Sequence, residues 1–101
     1  MIMNGKITNN HLFSQKAGNI VSDMDGEKVM LNIQNSKYYN LGHLGGEIWD
    51  LLKEPIAFQD LISLLLTNYD ISQAECEQQV SSFLEQLLEE GLIQIEEQVN
   101  S

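Results

Sequence analysis

Apolar residues spaced three and four apart dominate the last third of the chain. Over 72–93, Cys76, Val80, Phe83, Leu84, Leu87 and Leu88 fall on one stripe. Glu75, Glu77, Gln78, Ser82, Glu85, Glu89 and Glu90 fall on the opposite face. This period predicts an amphipathic helix. Both of its ends are marked. Ser72 followed three residues later by Glu75 is a capping box, in which each side chain takes an unpaired backbone N–H. Gly91 supplies the residue without Cβ that a left-handed C-cap favours.

Two more helices follow from the same period. The first covers 44–54, with Leu44, Ile48, Trp49, Leu51 and Leu52 on its apolar face, and Pro55 ends it. Gly45 and Gly46 weaken its first turn but permit close approach to a sheet. The second covers 58–69, with Phe58, Leu61, Ile62, Leu65 and Leu66 inward. Ahead of them the period drops to two. Asn19–Met24 has β character, Asp25-Gly26 is a tight-turn signal, and 27–33 alternates, with Val29, Leu31 and Ile33 on one face and Lys28, Met30 and Asn32 on the other, as a strand with one buried face does. A polar turn at 34–36 leads to a third strand at 37–41, with Tyr39 and Leu41 on one side and Tyr38 and Asn40 on the other. The expected fold is α+β and winged-helix-like, a three-stranded antiparallel sheet followed by three helices. Residues 1–18 are expected as an N-terminal arm, 19–96 as the domain and 97–101 as a tail. The third strand lies at a sheet edge, open for pairing unless a loop or the arm covers it.

Composition narrows the function classes. A chain of 101 residues with 43% hydrophobic content suits one small domain. Fifteen acidic against five basic residues give a net charge of −10, which repels phosphates and anionic lipid and favours cationic partners. A winged-helix DNA-binding role needs a basic helix, and the helices here carry Glu and Gln instead. One cysteine provides no disulfide framework. The first residues lack a signal peptide's apolar segment and no run is long enough to span a membrane, so the expected location is the cytoplasm.

Little in the chain points to catalysis. Cys76 with His11 or His43 as base is the one nucleophile candidate, and its place on the apolar stripe argues for a packed thiol. Two His and one Cys far apart form no metal signature, and there is no phosphate loop. Acid pairs such as Glu89-Glu90 and Glu96-Glu97 read as solvated surface. No enzyme activity, metal or cofactor is expected, which leaves a binding surface.

Three stretches, YYNLGHLGGEIWDLL, DLISLLLTNYDIS and VSSFLEQLLEEGLI, resemble the PqqD-like family, also called RiPP recognition elements, and most of all its free-standing members in lasso peptide clusters. Tyr38, Tyr39 and Leu41 match the aromatic pair and Leu that close the third strand. Ile48 and Trp49 match the first helix, and Tyr69 the Tyr before the last loop. Phe83, Leu84, Leu87, Gly91, Leu92 and Ile93 match the end of the pattern. Gly42 and Leu44 depart from the family's usual Asn and Thr, and Gln79 stands where an Asp is common.

The resemblance implies a domain that binds the leader segment of a ribosomally made precursor peptide as an antiparallel strand on the third-strand edge. It places peptide contacts on Lys37, Tyr38, Tyr39, Asn40 and Leu41, and on Cys76, Val80, Phe83, Leu84 and Leu87 of the last helix. In lasso-type members a leader Tyr and a leader Pro fill such pockets. A separate leader peptidase would then receive the leader, and a cyclase would act afterwards. The nearest variant is a PqqD-type peptide chaperone for a radical-SAM enzyme. A winged-helix regulator and a structural subunit remain as other classes, and the chain is expected as a monomer or an edge-strand dimer.

Overall fold

The computed structural model describes residues 11–97. Expectations for 1–10 and 98–101 lie outside the described residues. The described chain is α+β, with two three-stranded antiparallel sheets and three helices. It begins with β1 (His11–Gln15), then the meander β2 (Asn19–Met24), β3 (Glu27–Asn32) and β4 (Tyr38–Leu41). The helices are α1 (Gly42–Leu51), α2 (Phe58–Asn68) and α3 (Gln73–Glu89), with the two-residue β5 (Ile56–Ala57) before α2 and β6 (Ile93–Glu97) after α3.

The meander forms as its turn residues dictate. Asp25 and Gly26 both take positive φ at the β2–β3 turn, as a two-residue hairpin of this kind requires. Strand β3 buries residues of both faces: Met30 fully and Asn32 nearly so on one, Val29 on the other, while Ile33 is 60% exposed. Helix α1 packs on the Lys28–Met30–Asn32 side because the Lys28 stem lies under Gly46, and because Asn32 is satisfied where it is buried. Its amide donates to Asn19 Oδ1 (2.7 Å), and its Oδ1 accepts the Asn35 backbone N–H (2.9 Å). A polar but fully bonded position thus stands where the hydrophobic pattern pointed the other way.

The second sheet, ordered β5-β1-β6, was not expected. Part of the presumed arm is its central strand: Phe13 pairs with Ile56 on one side and Ile95 on the other, and is fully buried. This strand also explains where α1 stops. Gln15 donates its side-chain amide to Trp49 O (2.7 Å) and its backbone N–H to Leu52 O (2.9 Å). Carbonyls that a continuing helix would use are taken, and α1 ends at Leu51, short of the expected residue 54.

Helix α3 keeps the expected marks. Ser72 Oγ accepts the Glu75 backbone N–H (3.1 Å), whereas the Glu75 carboxylate accepts from the Gln79 amide rather than closing the box. At the other end Leu92 N–H donates to Leu87 O and Gly91 N–H to Leu88 O, with Gly91 at φ +76, a complete Schellman motif. The core gathers Phe13, Met30, Trp49, Leu61, Leu84 and Leu92 with their neighbours between the helices and the two sheets.

A candidate peptide-binding cleft

Strand β4 pairs with β3 on one side and with no described residue on the other. Its register pairs Met30 with Tyr39 and Leu31 with Tyr38, and Asn32 N–H donates to Lys37 O (2.9 Å). In an antiparallel ladder the bonded pairs alternate. Tyr39 therefore spends its backbone groups on β3, and Lys37 its carbonyl, the Lys37 N–H going to Asn35 Oδ1 (2.8 Å). Tyr38 and Asn40 turn theirs to the open edge. Beyond Asn40 the register slips by one, since Lys28 bridges Gly42, and this bulge at Leu41–Gly42 swings the chain into α1. Asn40 Oδ1 accepts the Gly42 N–H (3.0 Å), which closes that end of the edge.

Beside the edge runs a cleft in two compartments. The smaller, about 280 Å³, lies between β4 and the C-terminal half of α3 and is lined by Tyr38, Tyr39, Leu41, Phe83, Leu87 and Leu92, among others. The larger, about 550 Å³, lies between Leu41, Leu44, Gly45 and Ile48 on one wall and the α3 residues from Glu75 to Gln86 on the other. Leu41, Phe83 and Gln86 line both, so the compartments are continuous. Gly45 makes room for the Phe83 ring: a Cβ there would lie 3.1 Å from its edge.

The expected contact residues divide. Tyr38, Tyr39, Asn40, Leu41, Phe83 and Leu87 come together around the smaller compartment, with Lys37 at the entry to β4. Cys76, Val80 and Leu84 do not line the cleft. All three are fully buried in the core. The stripe of α3 faces inward onto the other helices and the sheets, so only its flank, Phe83 and Leu87, reaches the cleft. Burial also pushes the Cys76 thiol up, away from the reactive thiolate.

Several lining residues escaped the sequence reading. Gln78, Gln79, Ser82 and Gln86 belong to the polar face of α3, and nothing in their spacing separates a cleft wall from solvated surface. Glu90 was assigned to that solvated face as well. Instead its carboxylate accepts the Tyr39 hydroxyl (3.0 Å) and the Lys37 ammonium (3.3 Å). The tyrosine bond, and then the lysine, hold the Glu90 carboxyl below its ordinary range. Asn35 Nδ2 donates to the same Tyr39 oxygen (3.3 Å). The group ties the start of β4 to the end of α3 and fixes the cleft's width there.

Among the described residues no cluster of His, Cys, Asp and Glu could hold a metal, and no helix is long and apolar enough to cross a membrane. Two solved structures share the fold. One, described as TbiB1 in complex with the TbiA(beta) leader peptide, is 23% identical with a TM-score of 0.69, over 80% of this chain and 94% of that one. The other, lasso peptide synthetase B1 complexed with the leader peptide, is 20% identical with a TM-score of 0.71, over 81% and 96%. No curated protein matches the chain significantly in sequence. The family model for coenzyme PQQ synthesis protein D (PqqD) matches residues 27–93, from the start of β3 to the start of β6 and so across β4, the cleft and all three helices. With its open β4 edge and the cleft beside it lying inside that match, the chain belongs to the PqqD family.

Proposed function

We propose that the protein binds the leader segment of a ribosomally synthesised precursor peptide and presents it to a leader peptidase in lasso peptide biosynthesis, without doing chemistry itself. The observation that carries the reading is the open β4 edge running directly beside a continuous, partly apolar cleft. An added antiparallel strand bonds to the outward backbone groups of Tyr38 and Asn40. These bonds ask little of the leader's sequence. Alternate leader side chains enter the cleft, where Leu41, Phe83 and Leu87 supply apolar contact. The two solved structures of this fold that contain leader peptides support the same ligand class.

The presentation step draws support from the far face of the meander. Ile20, Leu31 and Tyr38 lie in one row across β2, β3 and β4, and Ile33 and Met24 share that side by the same alternation. Ile20, Met24, Ile33 and Tyr38 are each more than half exposed. An apolar sheet face of this kind marks an interaction surface. A strand added beside Tyr38 places its remaining side chains on this face, so a peptidase docking there meets protein and leader together. Such docking raises the local substrate concentration.

The test is fluorescence anisotropy with a labelled leader from the neighbouring precursor gene, followed by cleavage with the cognate peptidase. Phe83→Ala should weaken leader binding at least about tenfold, the loss of an interface anchor. Ile20→Ser with Ile33→Ser should leave leader affinity intact and slow cleavage. Absence of wild-type binding at tens of micromolar protein refutes the reading. A second reading, peptide chaperone to a radical-SAM enzyme, is favoured by the PQQ family description. It keeps the leader site and exchanges the peptidase for that enzyme, which co-purification distinguishes.

A further inference from the structure

The lining of the cleft carries a sign. Neither compartment is lined by a Lys, Arg or His, and the two carboxylates that line them are Glu75 at one end and Glu90 at the other. Their situations differ. Glu90 is matched by Lys37 and Tyr39. Glu75 is met only by a neutral amide, Gln79 Nε2 at 3.2 Å, and no cation pairs with it among the described residues. Facing it, the α1 wall is apolar, made by Leu44 and Ile48, and the Phe83 ring closes the far end, while Gln78, Gln79 and Ser82 line the α3 side between. An alkyl surface that ends at an unmatched carboxylate, within a chain of net charge −10, suits an aliphatic stem with a cationic head.

We propose that Glu75 is a specificity-determining residue that takes one lysine or arginine side chain of the bound peptide. The proposal rests on the leader-binding reading above and adds a position. Passing from Tyr38 to Leu41 and on to Gly45 follows the cleft from the C-terminal half of α3 towards its N-terminus. A peptide antiparallel to β4 therefore has its N-terminal part at Glu75. Eight residues of helix separate Glu75 from Phe83, about 12 Å at 1.5 Å per residue. Extended chain covers that distance in about four residues. The basic residue lies about four positions N-terminal to the side chain seated against Phe83.

The test is a double-mutant cycle by anisotropy on the full chain. Its probes are the synthetic leader and variants in which each Lys or Arg in turn becomes Gln. Glu75→Gln keeps the backbone N–H that Ser72 caps, and circular dichroism checks that the helix survives. The expected result is a three- to tenfold loss of affinity from Glu75→Gln, the same loss from one leader substitution N-terminal to the Phe83 contact, and no further loss when the two are combined. Glu75→Lys should then prefer a leader with Glu at that position. Tight wild-type binding that Glu75→Gln leaves unchanged overturns the assignment while leader recognition stands. So does additivity at every basic position, or a leader without Lys or Arg in that half. A leader that fails to bind the wild type removes both.

Discussion

Two adjacent glycines in α1 do different work. A Cβ on Gly46 would lie 2.9 Å from Lys28 Cγ and 3.0 Å from Lys28 Cβ, atoms near the backbone of β3 that cannot swing aside. A Cβ on Gly45 would meet the Phe83 ring at 3.1 Å, and the ring borders an open cleft into which it can shift. Gly46→Ala should destabilise the fold by about 1–2 kcal/mol, since overpacking at roughly 1–3 kcal/mol exceeds a helix-propensity gain of about 1 kcal/mol. Gly45→Ala should cost clearly less. Urea midpoints of the two variants check this, and equal midpoints contradict it. Both glycines and the close approach they permit are legible in the sequence, but only Gly46 meets the sheet, while Gly45 meets Phe83 of α3. The likeness of neighbouring Gly residues in sequence hides that they face different elements. The same limit applies to Cys76, Val80 and Leu84. Their stripe is plain in the sequence, but not that the core, and not the cleft, takes up this part of it.

At the level of elements, the meander, the three helices and the caps of α3 were legible, because each rests on local rules of period, turn chemistry and capping. The β5-β1-β6 sheet was not. Its central strand, HLFSQ, is too short to show a period. Its partners are two residues before α2 and an acidic strand after α3, and the pairing is wholly non-local. The Glu90 group joins two elements in the same non-local way, and it gives the fold a pH dependence. Because the folded carboxyl sits below its ordinary value of 4.5, its contribution is fully present well above that value. It is lost as pH falls through 4.5 and then through the lower folded value. Glu90→Gln should therefore lower the urea midpoint relative to wild type at pH 7, with the gap closing as the pH falls below the folded carboxyl's lowered range. A gap independent of pH would show that packing, not charge, joins β4 to α3. The Glu90 side chain is 32% exposed and its Lys37 partner 60%, so solvent screens the pair and the effect is small.

For the molecule as a whole, shape and charge converge on one side. The open strand, the two-compartment cleft and the apolar face of the meander meet at β4, within a chain of net charge −10. The central claim is that a leader strand is added at β4, and it concerns two backbone amides. Tyr38 and Asn40 turn their N–H groups to the open edge, while Tyr39 is already bonded to β3. Residue-resolved amide hydrogen exchange with and without saturating leader peptide tests the claim most directly. Exchange at Tyr38 and Asn40 should slow by at least about tenfold on binding, with a much smaller change at Tyr39, because only the edge amides gain a partner. A leader that saturates the protein while Tyr38 and Asn40 exchange as before would contradict strand addition and move the site away from β4.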